Sequence, residues 1–317
     1  MSSVLPHLRG DGEPIFIALD FSARSKPALG RNTIWLGLSS SLQPDSSFTA
    51  NFSTRASALN YLLTLFEESE LTHQQIHLGV DFGTALPSRI TEALCDSGSS
   101  SDLHEPWHLW DQISDLITDH SDNSNNRFEV AAYLNRSIGE HYFWGLPTPK
   151  PALPPPLQSW ILPLSPKRTG DQLRICERIA QRQARSRISS TAQLYGAGAV
   201  GSQTLLGMAF LSKLTRAIDH RFNLWPFHLN GHRITLYEIW PRLLVGPQAA
   251  NSSMAFSCND EYQVVISAAW MRMHDGPTSA HGKTVVERTP EIGARLRREG
   301  WILGTDARNV SLDDTDP

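Results

Sequence analysis

Four acidic residues stand where apolar strands end or a helix starts: Asp20, Asp81, Glu238 and Asp260. A carboxylate in such a place is a poor core residue, because burying an unpaired charge costs several kcal/mol. Hard divalent cations take oxygen ligands. Four acids converging in space would therefore suit one or two Mg²⁺ or Mn²⁺ ions, and paired ions supply what phosphoester hydrolysis needs: an activated water and a stabilised leaving oxygen. Asp20 and Asp81 are expected as the principal ligands, with Glu238 and Asp260 completing the shell and one of them orienting the water. Each acid also has a structural reading. Asp20 and Asp81 would cap the turns after their strands, Glu238 would pair with Arg233 or Arg242, and Asp260 would be an N-cap closed by Gln263 three residues on.

Phosphate contacts have their own candidates. Arg174, Arg178, Arg182 and Arg185 recur at i, i+4, i+8 and i+11, one face of a helix, within a segment (167–187) holding seven Lys/Arg against Asp171 and Glu177. Such a face would follow a phosphate backbone, although runs of charge are more often solvated surface. Further on, Gly196, Gly198 and Gly201 match G-x-G-x-x-G, with Asp219 downstream. No βαβ pattern surrounds them, so Gly198 and Gly201 read better as a turn that starts a helix near substrate phosphates than as a dinucleotide fingerprint. The "DFGT" at 81–84 echoes an ATPase phosphate loop but leads into a helical stretch instead of a hairpin. The twelve histidines are scattered, with no H-x-x-x-H or H-E-x-x-H pair on a helix, and no G-x-S-x-G elbow occurs, so zinc and acyl-transfer chemistry are unsupported.

The elements that would place these residues follow from hydrophobic period. "IFIALDFS" (15–22), "TIWLGL" (33–38) and "SSFTANF" (46–52) read as a meander of three strands. A helix over 54–69, capped by Ser53 or Thr54, leads to a fourth strand, "QIHLGVDF" (75–82). A crossover of that kind makes the first and fourth strands parallel neighbours and sets Asp20 beside Asp81. Residues 88–232 read as a helical and loop insertion, including eight prolines across 147–166. The fifth strand is "RITLYEIWP" (233–241), followed by a buried helix from "NDEYQVV" and a charged, exposed helix between Glu287 and Glu299.

Composition bounds the reading without deciding it. The 317 residues are 40% hydrophobic, enough for a full core, and are taken as a single domain over 1–317. A net charge of −4 leaves phosphate binding to a local basic patch. Cys95, Cys176 and Cys258 form no metal or disulfide spacing, and no apolar run approaches a bilayer span, which predicts a cytoplasmic protein without a membrane partner. Oligomeric state is not readable.

The segments "LDFSA…PALGRNTIWLGL", "GVDFG…LP", "NNRFEVAAYLN", "GAGAVGSQ", "YEIWPRLL", "NDEYQVV" and "EGWILG" together resemble a bacterial family of predicted nucleases carrying a domain of unknown function. Within it the chain looks closest to proteins labelled "molybdopterin guanine dinucleotide synthesis". The resemblance spans roughly 15–305. It departs at "DFGTALP", where an aromatic-Pro segment is expected, and at "NDEYQ", where a Lys-Asp-Ala start is expected. It implies a ribonuclease H-like α/β fold with a mixed five-stranded sheet, and it places Asp20, Asp81, Glu238 and Asp260 at the family's acidic positions. The function so implied is a Mg²⁺- or Mn²⁺-dependent nuclease acting on nucleic acid. A nucleotide- or pterin-handling protein of molybdenum cofactor biosynthesis, and an inactive binding module of the same fold, are the alternatives.

Overall fold

The apolar runs do become strands, buried on both sides except for the third, which is half-buried throughout. In the computed structural model, which describes residues 13–40, 48–95, 105–164, 172–245, 256–274 and 290–306, β1 (Ile15–Asp20), β2 (Ile34–Ser40) and β3 (Phe48–Phe52) form an antiparallel meander. Helix α1 (Arg55–Thr72) follows, its N-terminus closed by a reciprocal Thr54–Ser57 capping box. It returns the chain to β4 (Ile76–Asp81), which lies parallel to β1.

Next come α2 (Ser88–Cys95), α3 (Pro106–Leu116), α4 (Arg127–Ile138), a 3-10 turn (Pro155–Trp160) in the proline-rich stretch, α5 (Ile175–Ala184) and α6 (Gly201–Arg216). The sheet resumes with β5 (Phe222–Leu224) and β6 (Ile234–Glu238), and the chain ends in α7 (Pro241–Val245), α8 (Asn259–Met273) and α9 (Pro290–Glu299). The strand order is β3-β2-β1-β4-β6-β5, an α/β architecture with a mixed sheet.

Six strands replace the expected five. The additional strand, β5, falls inside the segment expected to be helix and loop, and three residues are too few to display a period of two. Phe222 and Leu224 nevertheless bury on the sheet edge, where Phe222 packs on Trp107 and Trp110. Between them the Asn223 side chain accepts from the Asn230 and His232 amides and donates to the His232 carbonyl, closing the connection to β6.

The two faces carry separate cores. Ile15, Ile17 and Leu19 of β1, with Ile76, Leu78 and Val80 of β4, pack with α1, α3 and α6. Phe16 and Ala18 face the other way, with Tyr237, Ile239 and the α8 residues Val264, Ala268 and Met271. Helix α8 sits very close to the sheet, and glycine is why: a Cβ on Gly37 would lie 2.6 Å from the Val264 carbonyl carbon. The charged C-terminal helix is less exposed than its composition predicts, since Leu296 and Glu299 of α9 are buried; Glu287 lies outside the described residues. Among the described residues no helix is long and apolar enough to cross a membrane.

Candidate active site

Asp20 closes β1 and Asp81 closes β4, and the parallel register pairs them directly, Asp20 against Asp81. Paired residues on neighbouring strands lie about 4.8 Å apart and point to the same face. Here that is the α8 face, because Ala18 and Gly79, two residues earlier on each strand, pack against α8 and Ile239. The N-terminus of α8 lies at the same end of the sheet. Its second residue, Asp260, accepts from the Asn32 amide in the turn that precedes β2. Asp260 is therefore not the N-cap; Cys258 holds that position and caps with no side-chain hydrogen bond.

The three aspartates feel one another. Burial, then Asp81 and Asp260, push the Asp20 carboxyl well above the ordinary carboxylate range. Burial, then Glu238 and Asp260, raise Asp81 to about 7. Among the described residues no Lys, Arg or His forms a salt bridge with Asp20 or Asp81. Both residues are half-buried.

Glu238 belongs to a different assembly. Its register partner is Val80, one residue short of Asp81, so the pleat turns its side chain to the opposite face. It accepts from the Thr84 amide and hydroxyl, each at 2.8 Å, and from both terminal nitrogens of Arg174. Neither Arg233 nor Arg242 is its partner. Arg174 also donates to Glu177 at 2.9 Å and to the Glu299 carbonyl at 3.0 Å, while the Glu299 carboxylate accepts from the amides of Ser88 and Ile175. All four side chains are buried. Burial raises the Glu177 pKa against the opposing pull of Arg174.

The arginine stripe is thus split by the fold. Arg174 precedes α5 and is buried in this network, with both terminal nitrogens engaged, which removes it from the residues available to a substrate phosphate. Arg178 is half-buried, and Arg182 and Arg185 are exposed. Arg185 ends the helix in a left-handed conformation, and with Arg182, Ser186 and Arg187 it lines an open groove of about 470 Å³.

The glycine segment opens α6 as expected, but Gly201 has a packing reason: a Cβ there would lie 2.4 Å from the Thr191 carbonyl oxygen. Gly198 has a φ of +72° in an exposed turn. The start of α6 does reach the acidic end of the sheet, since Gln203 donates to the carbonyl of Phe21, the residue after Asp20.

Two groups escaped the sequence reading. One is the Arg174 clamp, whose signal was a glutamate inside a strand that demanded a buried cation. The other is the connection between β1 and β2, where Arg24, Lys26 and Arg31 follow Asp20 with no acid among residues 21–33. Counting charge beside the acid, instead of along helices, would have found it.

Could the acids hold a divalent ion? Among the described residues no three His, Cys, Asp or Glu side chains form a ready-made metal cage. Mg²⁺ does not need one: it is commonly held by one or two carboxylates, completing its shell with water and substrate phosphates. An adjacent, uncompensated pair of hard oxygen donors fits that requirement. No family model, no curated protein and no solved structure matches this chain.

Proposed function

We propose that this protein is a Mg²⁺- or Mn²⁺-dependent phosphoester hydrolase, a nuclease with a ribonuclease H-like core of the kind its sequence segments resemble. One observation carries the reading. Asp20 and Asp81 meet in register, on one face, at the carboxyl ends of adjacent parallel strands, with no basic partner among the described residues. Ligands of open α/β sheets bind at that end. The order of the meander and the parallel strands supports the fold reading, with β5 as an added edge.

In this mechanism Asp20 and Asp81 would hold the cation, and Asp260, charge-coupled to both, would orient the attacking water or accept its proton. The bound ion supplies Lewis-acid stabilisation of the phosphoryl oxygens. Glu238 acts at one remove, fixing Thr84 and hence the loop that leaves Asp81. Asp20→Asn and Asp81→Asn are each expected to lower Mn²⁺-dependent cleavage of a labelled oligonucleotide at least 100-fold while far-UV circular dichroism is unchanged. Full activity in either variant would refute the assignment.

A further inference from the structure

The connection from Asp20 to β2 has a charge balance unlike the rest of the molecule. The chain as a whole carries −4, yet residues 21–33 hold Arg24, Lys26 and Arg31 and no acid. All three side chains are exposed, and among the described residues none forms a salt bridge.

The backbone beneath them is held along its length. Buried Arg55 donates to the carbonyls of Ser22 (3.0 Å) and Arg24 (2.9 Å) while gripping Asp119 with two nitrogens. The Gly30 amide donates to Asn51 at 2.6 Å, the Ala28 amide to Ser53 at 3.2 Å, and the Asn32 amide to Asp260. A fixed backbone of this kind presents its cations with little ordering left to do on binding.

A fourth cation joins them. Arg127, at the start of α4, donates to Ser25 of this connection (3.0 Å) and to Ser202 in the first turn of α6 (2.9 Å), with its guanidinium 4.5 Å from the Phe128 ring centre. It is half-buried, donates also to Asn125 at 2.8 Å, and among the described residues has no carboxylate salt bridge; the nearby Asp119 is already engaged by Arg55. Positive charge therefore runs from the acid pair along the β1–β2 connection to the start of α6.

We propose that this basic rim, Arg24, Lys26, Arg31 and Arg127, is the surface on which a nucleic-acid strand lays its phosphates as it enters the acidic site. The inference rests on the hydrolase reading for its direction but not for its binding. A polymer is favoured over a single nucleotide by shape. Small ligands occupy concave pockets, whereas the crevice between this connection, Phe52 and Asn123 has approximately 0 Å³ of room for water. Exposed cations on a filled surface suit a backbone read by charge.

The test is fluorescence anisotropy of fluorescein-labelled 20-mers of single-stranded DNA, single-stranded RNA and duplex DNA, in EDTA, as a function of salt. Arg24→Gln/Lys26→Gln/Arg31→Gln is expected to weaken binding of the single strands about 10- to 1,000-fold, and to reduce the slope of log K against log salt by about 2. Arg24→Lys/Arg31→Lys keeps the charge and should keep the slope. Arg182→Gln/Arg185→Gln/Arg187→Gln, in the separate groove at the end of α5, should leave both quantities in place. Unchanged affinity and slope in the Gln variant of the rim would overturn the proposal, as would GTP binding there more tightly than the strand.

Cleavage of bis(4-nitrophenyl) phosphate with Mn²⁺ separates the two readings, because this small diester needs the acids and not the rim. Equal rates in wild type and rim variant support the division of labour. Rim-dependent strand binding without cleavage of any diester retires the hydrolase reading and leaves the surface standing.

Discussion

Two groups of carboxylates lie at the same end of the sheet and have opposite fates. Glu177, Glu238 and Glu299 are buried around Arg174, with amides of Thr84, Ser88 and Ile175 filling the remaining acceptors. Asp20 and Asp81 are half-buried, adjacent and, among the described residues, without a salt-bridged cation. One residue of register separates them, since Glu238 pairs with Val80 and not with Asp81. The pleat thus sorts neighbouring acids into a clamp that holds the structure and a pair that destabilises it. Uncompensated charge is where binding energy for a cation is stored.

The largest break in that comparison is at the clamp. Arg174→Met removes the only buried cation shared by Glu177 and Glu238 among the described residues. Leaving buried charge unpaired costs about 3–5 kcal/mol, so chemical denaturation should show a loss of that size, and expression of folded protein should suffer. The paired variant Arg174→Met/Glu238→Gln should recover part of it, because fewer orphan charges remain. A loss below about 1 kcal/mol in the single variant would mean that the clamp does not hold the fold.

At the acid pair the sign reverses. Asp81, raised to about 7, keeps its proton in the folded protein between the ordinary carboxylate pKa and 7 while the unfolded chain has lost it. Its contribution is therefore full at low pH and falls away as pH rises toward 7. Asp81→Asn removes that loss. In EDTA the variant should be more stable than wild type by about 1–3 kcal/mol above pH 7, a range that allows for solvent screening at a half-buried residue, and should converge with it near pH 4. Mn²⁺ should raise the Tm of wild type and not of the variant. A variant less stable than wild type at pH 8 in EDTA would mean that Asp81 is compensated after all.

How much of this was written in the chain follows from the range of the interactions. Asp20 and Asp81 were readable because each ends a short apolar run, and a meander, helix and strand in that order leave few topologies. A cap at Ser53 or Thr54 was readable from local sequence, and the structure assigns it to Thr54, whose partner Ser57 is three residues away. Glu238 was recognised as out of place in a strand, but its partner Arg174 lies 64 residues upstream, beyond any local period. For the same reason Arg174 looked like the start of a surface stripe; only the packing of α5 and α9 decides that it is buried while Arg182 is exposed. The strand β5 is hidden by its three-residue length, and the basic rim by having no helical spacing, since its charges lie in a loop.

The smallest effect sharpens the comparison from the other end of β4. His77 shares the α8 face with Asp81, stacked on Phe16 at 4.8 Å and hydrogen-bonded to the Tyr237 hydroxyl at 2.8 Å. Burial lowers its pKa to about 4, so the folded protein stays neutral there while the unfolded chain takes up a proton below about 6.5. Stability from His77 is therefore present above 6.5 and lost as pH falls toward 4, opposite in sign to Asp81 and over nearly the same interval. The two slopes offset each other in wild type. His77→Gln, which keeps a partner for Tyr237 but cannot titrate, should leave stability at pH 7.5 within about 1 kcal/mol and gain about 1–2 kcal/mol relative to wild type at pH 4.5. Between pH 4.5 and 6.5 its denaturation free energy should then fall as pH rises, the slope of Asp81 and the other raised carboxyls laid bare. In His77→Gln/Asp81→Asn the fall should become shallower, leaving what the raised Asp20 and Glu177 carboxyls contribute; a slope unchanged from that of His77→Gln would assign the pH dependence to groups other than Asp81.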